Sequence, residues 1–219
     1  NLHPMQSPYK MRVRITFAKT KAMRYTSHLD LRSTWERTMR RAKLPLAYSQ
    51  GYNPRPKFNL ASALPLGFTS EAEMIEMWFD ERRSIAAITA ALEPVLPPGL
   101  ALIQIEEVDL HAEKLPNLLQ SAAYTVTLLE HEPSLDKRVT NLRDQTSIMR
   151  ERRGKSYDLR LLIEDLRLDD SAPHGEQNII MRLSARPGAT GRPDEVLEAL
   201  GINPYDTLIR RTRLFLGQG

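Results

Sequence analysis

The sequence predicts an α+β protein of two tandem βαββαβ units with antiparallel sheets, spanning residues 11–114 and 121–216. Three observations carry this expectation. Short stretches alternate polar and apolar residues, the period of a strand with one covered face. Between them lie segments whose apolar residues recur every three or four positions, the period of a helix. The two kinds of segment follow one another in the same order twice, with a break at residues 114–120.

The first strand is Met-Arg-Val-Arg-Ile-Thr-Phe-Ala, residues 11–18, with Val13, Ile15 and Phe17 on one face and Arg12, Arg14 and Thr16 on the other. Lys19 to Met23 reads as a turn. Ser27 is a helix N-cap, and Asp30 in the first turn suits the positive end of the helix dipole. Leu31, Trp35 and Met39, flanked by Thr34, Thr38 and Ala42, form the buried stripe of a helix that runs to about Lys43 and stops before Pro45. Residues 48–57 hold two prolines and a glycine in a polar setting, so an ordered loop or an irregular edge strand is expected. Strands follow over 58–64 and 73–80, then a helix capped by Ser84 to about Leu96, then a strand over 100–108.

The second unit repeats the order. Strands are expected at 124–129, 157–163, 178–185 and 207–216. Helices are expected from Ser134 to about Met149 and from Pro193 to Leu200. Pro suits the first helical position and Gly201 the residue after the last. The order β-α-β-β-α-β is the ferredoxin-like plan.

Composition narrows the chemistry. There are no cysteines, which removes disulfides, iron–sulfur ligation, thiolate zinc and a cysteine nucleophile. No apolar run approaches the ~20 residues of a membrane-spanning helix. The opening residues lack a signal-peptide pattern, so a cytoplasmic protein is expected. No metal-ligand spacing, Gly-rich phosphate loop or Ser-His-Asp order is present, and no cofactor is expected.

Charge is unevenly distributed. Lys10 to Lys57 holds thirteen Lys or Arg against Asp30 and Glu36, whereas Phe58 to Gln120 holds three basic and ten acidic residues. Such a cationic block points to a polyanionic partner, unless the neighbouring acidic block neutralises it. Within it, Arg24, Arg32, Arg37, Arg40, Arg41, Arg55 and Lys57 are candidates to contact phosphates. Tyr48 and Tyr52 are candidates to stack on unpaired bases, and Asn53 lies between them and Arg55. The plain alternative is packed tyrosines and prolines that stiffen a connection. His28, at the helix start, is the one histidine placed to act as an acid or base. A helix-terminal hydrogen-bonding role is the more ordinary one, so a non-catalytic role is expected.

These segments also carry a family resemblance. Arg24-Tyr-Thr-Ser-His-Leu-Asp30, Glu36-Arg37, Arg40-Arg41-Ala-Lys-Leu-Pro45, Ala47-Tyr-Ser-Gln-Gly-Tyr-Asn-Pro-Arg-Pro-Lys57 and Pro65-Leu-Gly67 resemble the radical SAM-linked protein family, also called the DUF2344 family. Gly154-Lys-Ser-Tyr-Asp-Leu-Arg160, Arg186-Pro-Gly188 and Arg192-Pro-Asp-Glu-Val-Leu197 resemble its later motifs. The resemblance implies a partner, a radical SAM enzyme with a B12-binding domain, and a neighbourhood that often includes an RNase E/G-type ribonuclease. The three cluster-holding cysteines of such an enzyme are missing, so an accessory role is implied and RNA is the expected polyanion. Two other expectations stand beside it: a metal-independent endoribonuclease using His28, and a protein–protein adaptor without specific nucleic-acid binding.

Overall fold

The computed structural model describes residues 8–218. The opening residues in which a signal peptide was sought therefore lie largely outside the described part, as does Gly219. The fold is mixed α/β with mostly antiparallel strands, and it divides into two compact units, residues 8–118 and Leu119–Gln218. Among the described residues no helix is long and apolar enough to cross a membrane.

The first unit contains β1 (Met11–Lys19), α1 (His28–Arg41), β2 (Phe58–Leu60), β3 (Thr69–Phe79), α2 (Ile85–Leu92), β4 (Leu100–Val108) and the short α3 (Leu115–Leu118). Its strands are antiparallel in the order β4-β1-β3-β2. Ile15 pairs with Ile75 on one side and Ile105 on the other. Val13, Ile15 and Phe17 are fully buried with Leu31, Trp35 and Met39 of α1 and Ile88 and Leu92 of α2. Phe17 and Trp35 meet edge to face, their ring centroids 4.9 Å apart, a preferred aromatic geometry. The stripe read from α1 is thus the face that joins it to the sheet.

The opposite face of β1 departs from the usual solvated pattern. Arg12 is buried, and its guanidinium meets the Glu76 carboxylate and the carbonyls of Ala112 and Glu113. Two boundaries also differ from the expected ones. β2 is three residues long, because the chain turns away through Pro65–Gly67. β3 begins at Thr69, where Ser70 pairs with Lys19, four residues earlier than the alternation indicates.

The second unit contains β5 (Leu119–Leu128), α4 (Leu135–Asp144), β6 (Met149–Arg152), β7 (Lys155–Asp158), β8 (Ile163–Leu168), β9 (Asn178–Arg186), β10 (Ala189–Thr190), α5 (Pro193–Ala199) and β11 (Thr207–Leu216). Its main strands are antiparallel in the order β11-β5-β9-β8, with β10 on β9. The strand expected at 157–163 is corrected. Arg153 and Gly154 both adopt left-handed backbone, with φ of 52° and 74°, and close a two-residue turn between paired Arg152 and Lys155. Two left-handed residues are the signature of a hairpin turn whose twist matches its strands. Residues up to Asp158 therefore pair with β6, and the strand in the sheet starts at Ile163. For the same reason α4 ends at Asp144 and does not reach Met149, which opens β6. Ser134 precedes α4 but has φ 54°, and its hydroxyl makes no capping bond.

Candidate nucleic-acid interface

The candidate surface is built on α1 and on a finger formed by residues 46–57. Ser27 caps the helix: its hydroxyl accepts from the Asp30 amide at 3.1 Å and donates to the Asp30 carboxylate at 2.7 Å. The segment entering the helix is held from below, because the buried Lys19 Nζ donates to the Thr26 carbonyl at 2.9 Å. It is held from the side by a reciprocal pair. Arg24 Nε donates to the Gly67 carbonyl at 2.7 Å, and the Gly67 amide donates to the Arg24 carbonyl at 3.0 Å. Two segments that stood out in the sequence, 24–30 and 65–67, are therefore one structural piece.

The stretch from Tyr48 to Lys57 is an ordered, irregular hairpin-like finger, in keeping with the loop or irregular edge strand expected. Its base is fixed to the end of β3: the Ala47 amide donates to the Trp78 carbonyl, and the Trp78 amide donates to the Lys57 carbonyl. Higher up, the Lys57 amide donates to Ala47 and the Ser49 amide to Arg55, while Tyr48 and Pro56 form a bridge. The Arg55 amide donates to the Ser49 hydroxyl. Gly51, at φ +138°, lies in the tip, a conformation that side chains resist. Everything from Ser49 to Arg55 is exposed, and Tyr52 is 99% exposed.

Two clefts flank the solvent face of α1. The first, about 380 Å³, runs between the helix and the finger and is lined by Leu29, Arg32, Ser33, Glu36 and, across from them, Pro54 to Pro56. Phe58 closes one side, and the Arg32 guanidinium lies over its ring, 4.6 Å from the centroid. The second, about 590 Å³, is lined by Thr34, Arg37, Arg40 and Arg41 of the helix together with Met23 and Pro97. Positions 29, 32, 33 and 36 occupy one edge of the exposed helix face, and 34, 37 and 41 the other, as helical spacing requires.

The cations divide by partner. Arg40 is paired with Glu36 one turn away, and Tyr48 accepts a further hydrogen bond from it, which holds the guanidinium pKa above its ordinary value. Lys57 places its ammonium 3.7 Å from the Tyr9 ring centroid and 5.0 Å from that of Trp78. Arg24 is engaged with Gly67 and lies over the Tyr25 ring. By contrast, among the described residues Arg32, Arg37, Arg41 and Arg55 form no ion pair. The acidic block of the sequence does not neutralise them: Glu76 takes Arg12 and Arg14, Glu106 also takes Arg14, and Glu107 takes Arg82.

His28 occupies the first position of α1 and is half-buried. Burial, then the Arg32 guanidinium and Lys19, hold its pKa below the ordinary 6.5, while Glu73 acts in the other direction. The ring is therefore neutral at pH 7.

Of the residues singled out in the sequence, Arg32 and Arg55 line the first cleft, while Arg37, Arg40 and Arg41 line the second. Tyr52 and Asn53 stand at the finger tip, and Tyr48 is half-buried in its stem. Arg24 and Lys57 lie outside both clefts. Sequence reasoning did not single out Leu29 or Ser33. Leu29 carried a signal, since it falls off the Leu31-Trp35-Met39 stripe and so points to solvent, where it is 74% exposed.

No curated protein matches this sequence. Among solved structures, the chain is similar to one titled "Structure of H/ACA RNP bound to a substrate RNA containing 2'-deoxyuridine", with 11% identity and a TM-score of 0.48; the match covers 99% of this chain and 52% of that one. The chain thus spans about half the length of that relative. It is also similar to an unknown protein from Galdieria sulphuraria, with 14% identity, a TM-score of 0.29, and coverage of 87% and 89%. A third similarity is to a putative dyp-type peroxidase protein from Shewanella oneidensis, with 11% identity, a TM-score of 0.24, and coverage of 96% and 93%. The model of the family described as "Uncharacterized protein conserved in bacteria (DUF2344)" matches residues 12–193, most of the sequence, and the chain belongs to that family.

Proposed function

We propose that this protein is a non-catalytic accessory protein that binds RNA, or presents an RNA substrate, for a radical SAM enzyme with a B12-binding domain in the cytoplasm. The observation that carries the RNA reading is the set Arg32, Arg37, Arg41 and Arg55. These four guanidinium groups have no carboxylate partner among the described residues, and they sit on α1 and on the finger whose tip carries the exposed Tyr52 ring. Guanidinium groups left in this state recognise phosphate oxygens in a bidentate manner. The radical SAM partner rests on the resemblance of the sequence motifs. The strand orders β4-β1-β3-β2 and β11-β5-β9-β8 support reading the two units as a tandem pair of ferredoxin-like folds.

The test is fluorescence anisotropy with a labelled single-stranded RNA across a KCl series. Four phosphate contacts give a slope of log affinity against log salt of about −3. Replacing Arg37 and Arg41 together by Ala is expected to reduce that slope by about 1.4. A slope near zero would remove the reading.

A further inference from the structure

We infer that the cleft between α1 and the finger holds an unpaired nucleobase, so that the ligand of this surface is single-stranded and not duplex RNA. The inference rests on the RNA reading above and adds the class of ligand.

The cleft has the parts that a base and its phosphate require, in the right order. Its rim is cationic: Arg32 stands on the helix side and Arg55 on the finger side. Between them Leu29 on the helix and Pro54 and Pro56 on the finger supply apolar surface, beside the polar Ser33 and Glu36. Its one carboxylate, Glu36, is already engaged by Arg40, so it sets no uncompensated negative charge against an incoming phosphate. Phe58, itself only 6% exposed, backs the Arg32 guanidinium from one side. A planar cation fixed in this way offers a flat platform, and arginine planes and aromatic rings are the surfaces on which unstacked bases settle. The volume, about 380 Å³, is of the size that takes one small planar group with its neighbours.

A duplex does not satisfy this arrangement. Its base faces are covered by stacking, and its phosphates lie on a convex exterior. Such a ligand touches Arg55 and Arg32 and leaves the apolar walls wet. The walls are already unusual in that respect: Leu29 is 74% exposed, and Tyr52, at the tip of the same finger, is 99% exposed. A single strand that places one base between Leu29 and the prolines brings the adjoining base within reach of the Tyr52 ring, while its phosphates follow the arginines. Stacking of this kind is indifferent to base identity, so the expected preference is for strandedness and not for sequence.

The experiment compares three labelled probes of equal length on the full chain: an oligouridylate, a duplex RNA, and an abasic single strand that keeps the phosphates and removes the bases. The oligouridylate is expected to bind about a hundredfold tighter than the abasic strand, the weight of two base stacks, one in the cleft and one on Tyr52, and tighter than the duplex. Two exposed positions test the cleft without touching its cations. Ser33→Leu fills it without adding a ring, and Tyr52→Ala removes the neighbouring ring. Each is expected to bring the oligouridylate about tenfold down, the loss of one of the two stacks, and to leave abasic binding and the thermal midpoint unchanged. Equal affinity for oligouridylate and abasic strand, with a steep salt slope, overturns this inference and leaves the phosphate-binding surface standing. Unchanged oligouridylate affinity in Ser33→Leu overturns it as well. Absence of binding by all three probes at low salt removes the RNA reading itself.

Discussion

Arg12 and Glu76 form a buried ion pair, Nη2 to Oε2 at 2.5 Å, with neither side chain more than 1% exposed. The second carboxylate oxygen of Glu76 accepts from Arg14, at 3.0 Å from Nε and 2.7 Å from Nη2. The remaining donors of Arg12 reach backbone carbonyls at Ala112 and Glu113. One carboxylate therefore settles two of the thirteen cations in the basic block, while the exposed arginines of α1 lie elsewhere. Glu76→Gln leaves two guanidinium groups facing a neutral amide. Removing one partner of a buried charge pair costs about 3–5 kcal/mol. Urea denaturation is expected to show a loss of that order, with RNA affinity below the unfolding transition unchanged.

His28 gives a pH dependence whose sign follows from its surroundings. Burial and then Arg32 place its pKa in the folded protein below the ordinary 6.5. The unfolded chain thus binds the proton more readily, and stability falls as pH drops from about 6.5 towards the folded pKa. Above that window the contribution is complete. A proton NMR titration of the ring is expected to show a midpoint below 6.5, and His28→Gln to flatten the stability profile below that pH. A midpoint at or above 6.5 contradicts the account.

Ser27 fixes where the cationic helix starts. Its hydroxyl satisfies the Asp30 amide, one of the donors left free at a helix N-terminus. Ser27→Ala is expected to cost about 1 kcal/mol, and Ser27→Asp to retain most of the stability, both read from denaturant midpoints. Equal stability of Ser27→Ala and the parent protein would deny the cap its role.

Much of the first unit was readable because its elements obey one local period. The alternation of Val13, Ile15 and Phe17 and the stripe Leu31, Trp35, Met39 gave β1 and α1 within two residues of their ends, and the Ser27 cap was evident from its neighbours. The irregular character of the finger was readable from its prolines and glycine, but its place in the fold was not. Its base is paired with Trp78 and Phe79, some thirty residues away in the chain, and no local pattern encodes such a pairing. The start of β8 was hidden for a different reason: the left-handed Arg153 and Gly154 close a tight hairpin whose second strand takes the residues up to Asp158. Charge counting located the cationic block but treated its members alike. Arg12, Arg14 and Lys19 are turned into the protein, Lys57 is set against aromatic rings, and Arg40 is neutralised within its own helix. What remained without an ion pair on α1 and the finger, Arg32, Arg37, Arg41 and Arg55, depends on three-dimensional neighbours that composition does not contain. The first cleft was legible only through its separate pieces, because Leu29 and Pro54 become neighbours once the finger folds back.

The link between Arg14 and Glu76 spans sixty-two positions of the chain. During synthesis the positive strand therefore leaves the ribosome well before its counter-charge exists. Until residue 76 has emerged, Arg12 and Arg14 lack the carboxylate that receives them both in the folded unit, so β1 cannot bury its second face as it does there. The sheet closes only after that carboxylate arrives, which makes translation itself a timer for when this unit becomes a finished body.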